Sequence, residues 1–276
     1  MKAAAFDYVK SATLPEALDA LRAGGVGAKP MSGSQSLGPM LNLRLARPAQ
    51  VVDVSRLTEM RGVSEAAGGI RVGAAVTHAE VEDGRHALLR HAYLRYVASG
   101  IAYRAVRNRG TRGGSLAHAD PAADWPCALA ARYARRELAR AGASRVVRVG
   151  EFMLGAFTTR LEEGEIITAV LLPRLGDTLR WGYYKLCRKT GEFAHASAAA
   201  AFDARTGLAK VVLGALDGPP AALDGLAQAI AQNGAAAATQ EALRSAGAGA
   251  MPEADGIDRA MHAAALERCL AQVFGN

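Results

Sequence analysis

A chain of 276 residues with a net charge of +7 can hold one large or two modest domains, and its 50% hydrophobic and 21% charged residues are ordinary for a globular protein. It offers no run of about 18 apolar residues, so no transmembrane helix is expected, and MKAAAFDYVKSATLPEALDALR lacks the sustained apolar core of a secretory signal. Basic residues are spread along the chain and aromatics are only 5%, which argues against a nucleic-acid platform, while Cys127, Cys187 and Cys269 are too far apart for a disulfide framework, a metal pair or an iron–sulfur cluster and point to a reducing cytoplasm.

Taken in chain order, Thr13 and Pro15 open a helix whose apolar positions Leu14, Ala17, Leu18 and Leu21 recur at helical spacing, and Gly24-Gly25 stop it. Lys29 to Leu45 (KPMSGSQSLGPMLNLRL) places small and hydroxyl residues before an apolar helix-like run, where anions bind well. It contains neither a Walker lysine nor a G-x-G-x-x-G fingerprint. Residues 50–54 and 69–74 read as short strands, and Thr77 caps a helix through Val81. Residues 86–102 read as an amphipathic helix leading into the most informative stretch of the chain.

That stretch is VRNRGTRGGSLAHADPAADWP, from Val106 to Pro126. Its glycines let a backbone approach a ligand, its hydroxyls are donors, and successive N–H groups can form an anion-binding concavity. Two carboxylates, Asp120 and Asp124, follow at a spacing that meets ligand hydroxyls. The combination suits a nucleotide with a diphosphate and a polyol, and the plain alternative is a polar loop before a helix. Asp124 is also a candidate helix cap. Farther on, an Ala-rich run predicts a buried helix over 124–143. Strands follow at 144–149, 165–172, 183–187, 196–202 and 209–216, with a domain boundary at 175–180. Helices are expected at 223–232, 236–245 and 258–274, with a linker over 247–256. A three-stranded sheet with helices fits the C-terminal third.

The two loops resemble those of the FAD-binding medium subunit of molybdenum hydroxylases, the family of carbon monoxide dehydrogenase and xanthine dehydrogenase. The family's first loop, roughly A-G-G-x-S-L-x-P-x-x-x-L-R-L, is matched by Ser32-Gly33-Ser34-Gln35-Ser36-Leu37-Gly38-Pro39 and Leu43-Arg44-Leu45. The second, roughly I-R-N-x-G-T-I-G-G-N/S-x-x-x-A-D-P-x-x-D, is nearly complete between Arg107 and Asp124. Resemblance continues through Phe152–Pro173 and from Tyr183-Tyr184-Lys185 to Glu192-Phe193-Ala194, so it covers almost the whole chain in one order. Four positions depart from the pattern. Ser34 replaces a glycine and is mildly strained if its φ is positive. Arg112 replaces Ile or Leu and either faces solvent or reaches a phosphate. Lys189 stands for Arg, and Glu192 for Asp.

The resemblance implies an α+β fold: a two-part FAD-binding domain over residues 1–176 and a smaller α+β domain, a three-stranded sheet plus helices, over 177–276. It implies FAD held by Lys29-Pro30-Met31-Ser32-Gly33-Ser34-Gln35-Ser36-Leu37 and by Gly110, Thr111, Gly113, Gly114 and Ser115 at the diphosphate. Ile101 and Ala102 would flank the flavin, with Asp124 at the polyol and His118, Ile167 and Thr168 nearby. Lys185 would stand near the isoalloxazine, where a cation stabilises the reduced ring, and Phe193 would cover the ring edge. No catalytic nucleophile and no metal ligand are expected. The implied role is electron transfer within a heterotrimer: from a molybdopterin-containing large subunit, through a 2Fe–2S small subunit, to this FAD and on to NAD, a quinone or oxygen, in a dimer of heterotrimers. The competing expectation is a flavin-free assembly or scaffold subunit of the same fold.

Overall fold

The structure is a computed structural model and describes residues 2–174 and 176–275. The chain opens with β1 (Asp7–Lys10), α1 (Leu14–Gly24), β2 (Ala28–Met31), α2 (Leu37–Asn42) and β3 (Gln50–Asp53). These three strands form a parallel sheet in the order β1-β3-β2, with β3 central and its Val51 and Val52 fully buried. As expected, Thr13 caps α1 by accepting from the Glu16 N–H, and Gly25 ends it at φ 53°. Strands β1 and β2 went unread in the sequence, because DYVK and AKPM are short and carry no alternation.

Next come α3 (Thr58–Arg61), β4 (Val63–Ala66), β5 (Gly69–Gly73), α4 (His78–Glu82), α5 (Ala92–Ser99), α6 (Arg104–Arg107), α7 (Arg112–His118) and α8 (Asp124–Ala130). Thr77 and Glu80 make a reciprocal capping box at the start of α4. The helix expected over 86–102 is α5 alone, preceded by a short 3₁₀ turn at Ala87–Leu89.

The remaining strands of this half are β6 (Arg135–Arg140), β7 (Ala143–Arg148), β8 (Met153–Gly155), β9 (Thr158–Thr159) and β10 (Ile166–Pro173). Of these, β6, β7 and β10 complete an antiparallel five-stranded sheet, β4-β5-β10-β6-β7, while β8 and β9 pair in a small sheet of their own. The long helix expected over 124–143 is therefore corrected: it stops at Ala130. Alanine-rich composition favours helix, but Arg136 and Leu138 alternate inward and pair with β10, and this tertiary pairing overrides propensity.

The C-terminal part is a meander of β11 (Arg180–Leu186), β12 (Ala196–Asp203) and β13 (Leu208–Gly214), joined by a two-residue β14 (Ala221–Ala222), so the sheet has four strands rather than three. Helices α9 (Asp224–Asn233), α10 (Gln240–Ala250) and α11 (Gly256–Gly275) cover one face. Because α10 runs to Ala250, the connection to α11 is shorter than expected. Strand β12 is buried on both faces. Ala199 belongs to the core that contains Trp125 and Leu129, whereas Ala198, Ala200 and Phe202 belong to a second core under α11. The period-two alternation of a strand divides these positions between the two cores. The close approach of α11 requires Gly182, where a Cβ would lie 2.0 Å from the Cys269 carbonyl oxygen.

Candidate functional site

Between the parallel sheet, α7 and the loop after β11 lies a cleft of about 710 Å³, within the range of small-molecule sites. The turn after β2 forms one side. It supplies Lys29, Pro30, Met31, Ser32, Gly33, Ser34, Gln35, Ser36 and Leu37, all of which line the cleft. Ser34 sits at φ 61°, the left-handed conformation anticipated for it. Its hydroxyl lies where a Cβ on Gly38 would be 2.8 Å away. The backbone N–H groups of Gly33, Ser34, Gln35 and Ser36 carry no hydrogen bond among the described residues. The Ser32 hydroxyl is buried without a partner.

The opposite side comes from the turn into α7. Gly110, Thr111, Gly114 and Ser115 line the cleft. The two turns cross in backbone contact, since a Cβ on Gly33 would fall 2.0 Å from the Arg109 carbonyl oxygen. The second turn is not an open nest of donors. Arg112 N–H donates to Val76 O (3.2 Å), Gly113 N–H to Ala74 O (2.9 Å), Gly114 N–H to Thr111 Oγ1 (3.1 Å) and Ser115 N–H to Thr111 O (3.0 Å). Hydroxyls, more than amides, are what this side presents to the cleft.

Four expected site residues do not line the cleft. Gly113 packs α7 on the sheet, its Cβ position 2.4 Å from Ala74 Cβ. Ile167 and Thr168 are buried in β10, where the register skips Thr168 as a bulge, and its hydroxyl donates to Glu137 O. Lys185 stands one residue behind the wall. Its ammonium lies 3.0 Å from Asp124 Oδ1 and donates to Gly100 O at 2.8 Å. Asp124 does line the cleft, but it is not the helix cap, a position held by Ala123. Both its oxygens are engaged, Oδ1 by the Tyr183 hydroxyl at 2.8 Å and Oδ2 by Lys185 at 3.2 Å. Burial, then the charge of Asp124, pushes the Tyr183 phenol well above its usual range.

Ile101, Ala102, His118 and Phe193 also line the cleft. Ile101 bridges to Gly191, whose φ of 94° and closeness to Ala102 O exclude a side chain. Ala102 itself is held at φ 42°. The His118 ring packs against Phe157 at 5.1 Å, and burial lowers its pKa. Phe193 is 65% exposed over the mouth.

Several wall residues escaped the sequence reading, among them His78 and the Glu162–Glu165 turn, whereas Asp120 lines the cleft as the sequence suggested. Nothing in sequence separates a lone histidine after a helix cap from a core residue. Trp125 Nε1–H donates to His78 Nδ1 at 3.1 Å, so the ring hydrogen of His78 is on Nε2. Burial first, then Arg112 and Arg107, hold this imidazole neutral with a pKa of about 3. Arg112 neither faces solvent nor meets an anion of the protein. It is fully buried, stacked 4.7 Å over the Trp125 ring, and all three guanidinium nitrogens lack hydrogen-bond partners.

Three cleft carboxylates are already satisfied within the chain. Glu165 is held by Arg145 through two 2.7 Å bonds, Glu162 by Arg140 at 2.8 Å, and Asp120 Oδ1 accepts the Ala122 N–H. The cleft therefore offers free backbone N–H groups on one side and hydroxyls on the other. No cysteine lines the cleft, and no metal-binding group of His, Cys, Asp or Glu exists among the described residues.

Comparison with known proteins identifies the family. Residues 4–175 match the model of the FAD binding domain in molybdopterin dehydrogenase. The chain is 36% identical over 196 residues to the glyceraldehyde dehydrogenase medium chain of Sulfolobus acidocaldarius, covering 71% of this chain and 69% of that one. It is 35% identical over 194 residues to the carbon monoxide dehydrogenase medium chain of Hydrogenophaga pseudoflava, covering 70% and 68%. Among solved structures, quinoline 2-oxidoreductase of Pseudomonas putida superposes with a TM-score of 0.87 at 30% identity, covering 100% of this chain and 99% of that one.

Proposed function

The chain belongs to the family of FAD-binding domains in molybdopterin dehydrogenase, and from that premise we propose that it passes electrons from 2Fe–2S clusters on a partner subunit to an external acceptor. It is an oxidoreductase subunit of the medium-chain type, and its cofactor is FAD. The residues present fit that group. The unpartnered N–H groups of Gly33 to Ser36 and the orphaned Ser32 hydroxyl suit the diphosphate. Two wall carboxylates, Glu162 and Glu165, are paired with arginines of the chain itself, which reduces their repulsion of an anion.

Bound FAD supplies a carrier that accepts two electrons and releases them to a second partner. The chain's own residues do the rest. In this reading the turn after β2 and the hydroxyls of Thr111 and Ser115 hold the diphosphate end. Ile101, Ala102 and Phe193 enclose the flavin end, and the Lys185–Asp124 pair sets the charge behind it. The division at 176/177 into a cofactor domain and a smaller C-terminal domain belongs to the same reading, supported by the two cores.

Oxidation of the organic substrate then takes place on a molybdopterin-containing large subunit, with a 2Fe–2S small subunit between, in a dimer of heterotrimers. Support comes from the relatives named as medium chains. No helix among the described residues is long and apolar enough to cross a membrane. Three free cysteines favour a reducing cytoplasm.

The observation that carries the proposal is the convergence of both turns on one cleft. The test is the absorption spectrum of the purified chain with its flavin stoichiometry, followed by electron delivery from a reduced 2Fe–2S partner. One releasable FAD per chain that is reduced by the partner is expected. A colourless chain that takes up no FAD would favour the scaffold alternative. Oxidation of substrate by this chain alone would overturn the subunit reading.

A further inference from the structure

Arg112 presents an unusual physical problem. A guanidinium removed from water needs acceptors, and none is within hydrogen-bond reach among the described residues. No carboxylate lies within 4.0 Å of it either. Burial depresses its pKa to about 10, which still leaves it a cation at neutral pH. Its guanidinium is stacked over the Trp125 ring at 4.7 Å.

The surroundings show where compensation lies. Trp125 binds His78 through its indole N–H, and His78 is a wall residue of the cleft. A Cβ on Gly110 would be 2.9 Å from the His78 ring, and Gly110 is in turn the crossing point with Gly33. The line of contacts from Arg112 through Trp125 to His78 therefore ends at the crossing of the two turns. Thr111, just before Arg112 in sequence, and Gly114 and Ser115 after it line the cleft.

We propose that Arg112, Trp125 and His78 form a buried cationic support for the cofactor's diphosphate: Arg112 supplies uncompensated positive charge from behind, and Trp125 fixes His78 as an Nε2–H donor into the cleft. This rests on the assignment of the two turns to the diphosphate. Low local dielectric lets the charge act across the intervening ring, where an exposed lysine would be screened. The cofactor-free chain carries an unpaired buried cation, and binding a dianion relieves it. Arg112 thus lowers the stability of the empty chain and raises its affinity for FAD.

Those opposite signs make the test. Arg112→Met keeps an unbranched apolar stem and removes the charge. In the full chain stripped of flavin, the variant should melt higher than wild type, and its FAD dissociation constant should rise about tenfold, or about 1.4 kcal/mol. Riboflavin, which lacks the diphosphate, should bind wild type and variant alike. FAD affinity within twofold of wild type would refute the proposal, as would an equal loss for FAD and riboflavin, which means collapse of the cleft. Failure of wild type to bind FAD would instead overturn the cofactor assignment. Trp125→Phe gives an independent reading, because the ring stays under the guanidinium while the donor to His78 is lost. It should weaken FAD several-fold and leave riboflavin unchanged, and unchanged FAD affinity would remove His78 from the support.

Discussion

Replacing Lys185 by methionine strands the Asp124 carboxylate behind the cleft. The two groups are 3.0 Å apart, with side chains 8% and 6% exposed. At an effective dielectric near 20 their attraction is about 5–6 kcal/mol. Desolvation cancels part of it, and removing one partner of such a pair costs about 3–5 kcal/mol. The Tyr183 hydroxyl remains on Asp124 and limits the loss. Asp124→Asn alone is also destabilising, because the buried ammonium keeps only neutral acceptors such as Gly100 O and loses its counter-charge. In the double variant neither charge is left unmatched, so the losses should fall short of additive by about 2–3 kcal/mol. Urea unfolding of the four proteins measures this coupling. The flavin potential gives a second readout. With Lys185 gone, the remaining negative charge disfavours the anionic reduced ring, and an interaction of about 1–3 kcal/mol corresponds to a fall of about 20–65 mV for a two-electron couple. The double variant should return toward wild type. Additive stability losses, or a potential that ignores both substitutions, would refute the pairing as the tuning element.

Other outcomes follow from the same geometry. Gly33→Ala forces the crossing turns apart, because its Cβ would meet backbone at 2.0 Å, and should abolish FAD binding in a stoichiometry assay; Gly114→Ala meets only the Thr111 hydroxyl at 2.9 Å and should cost about 0.5–2 kcal/mol through the cap. Ser34→Gly should change stability by less than about 1 kcal/mol, since relief at φ 61° offsets glycine's greater unfolded freedom, while Ser34→Val should lose about 1–3 kcal/mol on thermal melting. His78 has its folded pKa depressed to about 3 from 6.5, so the unfolded chain binds the extra proton between those values. Stability should therefore be full above about pH 6.5 and fall as pH drops toward 3, and His78→Phe should reduce the proton uptake on unfolding in that window by about one. Burial pushes the Cys127 thiol up to about 12 and raises Cys269 as well, so an aromatic disulfide reagent at pH 8 should titrate Cys187 alone in the native chain and all three thiols in denaturant.

Much of the fold was legible because its signals are local. The Thr13 and Thr77 caps, the Gly25 stop and the strands flanking the Asp203–Gly207 turn need only neighbouring residues. The strand of residues 135–140 was hidden because its alternation uses Arg136, a charged residue that packs inward on the Phe152 ring. Both turns of the candidate site were readable as motifs, yet the partners of their side chains were not. The contact of Asp124 with Lys185 spans sixty-one positions, and Trp125 reaches His78 across forty-seven. Ile167 and Thr168 were expected at the ligand because they match positions where relatives touch the cofactor; both are buried in β10, where the register shifts between Ile167 and Ala169. Periodicity reports which face is buried, and bulges of this kind are invisible to it.

The bridge between Ile101 and Gly191 joins segments ninety positions apart, and the flavin-side wall stands only when both are present. Chain synthesis supplies them in sequence. At ordinary elongation rates, the interval from Ala102 to Phe193 takes about 5–20 s. Once Ser115 has been made, the nascent chain carries its two crossing turns with one side of the cleft missing until Gly191 follows. Flavin arriving early meets an open trough from which it can leave freely. Retention begins when the loop carrying Gly191 docks, so a truncated translation product ending before it should release its flavin.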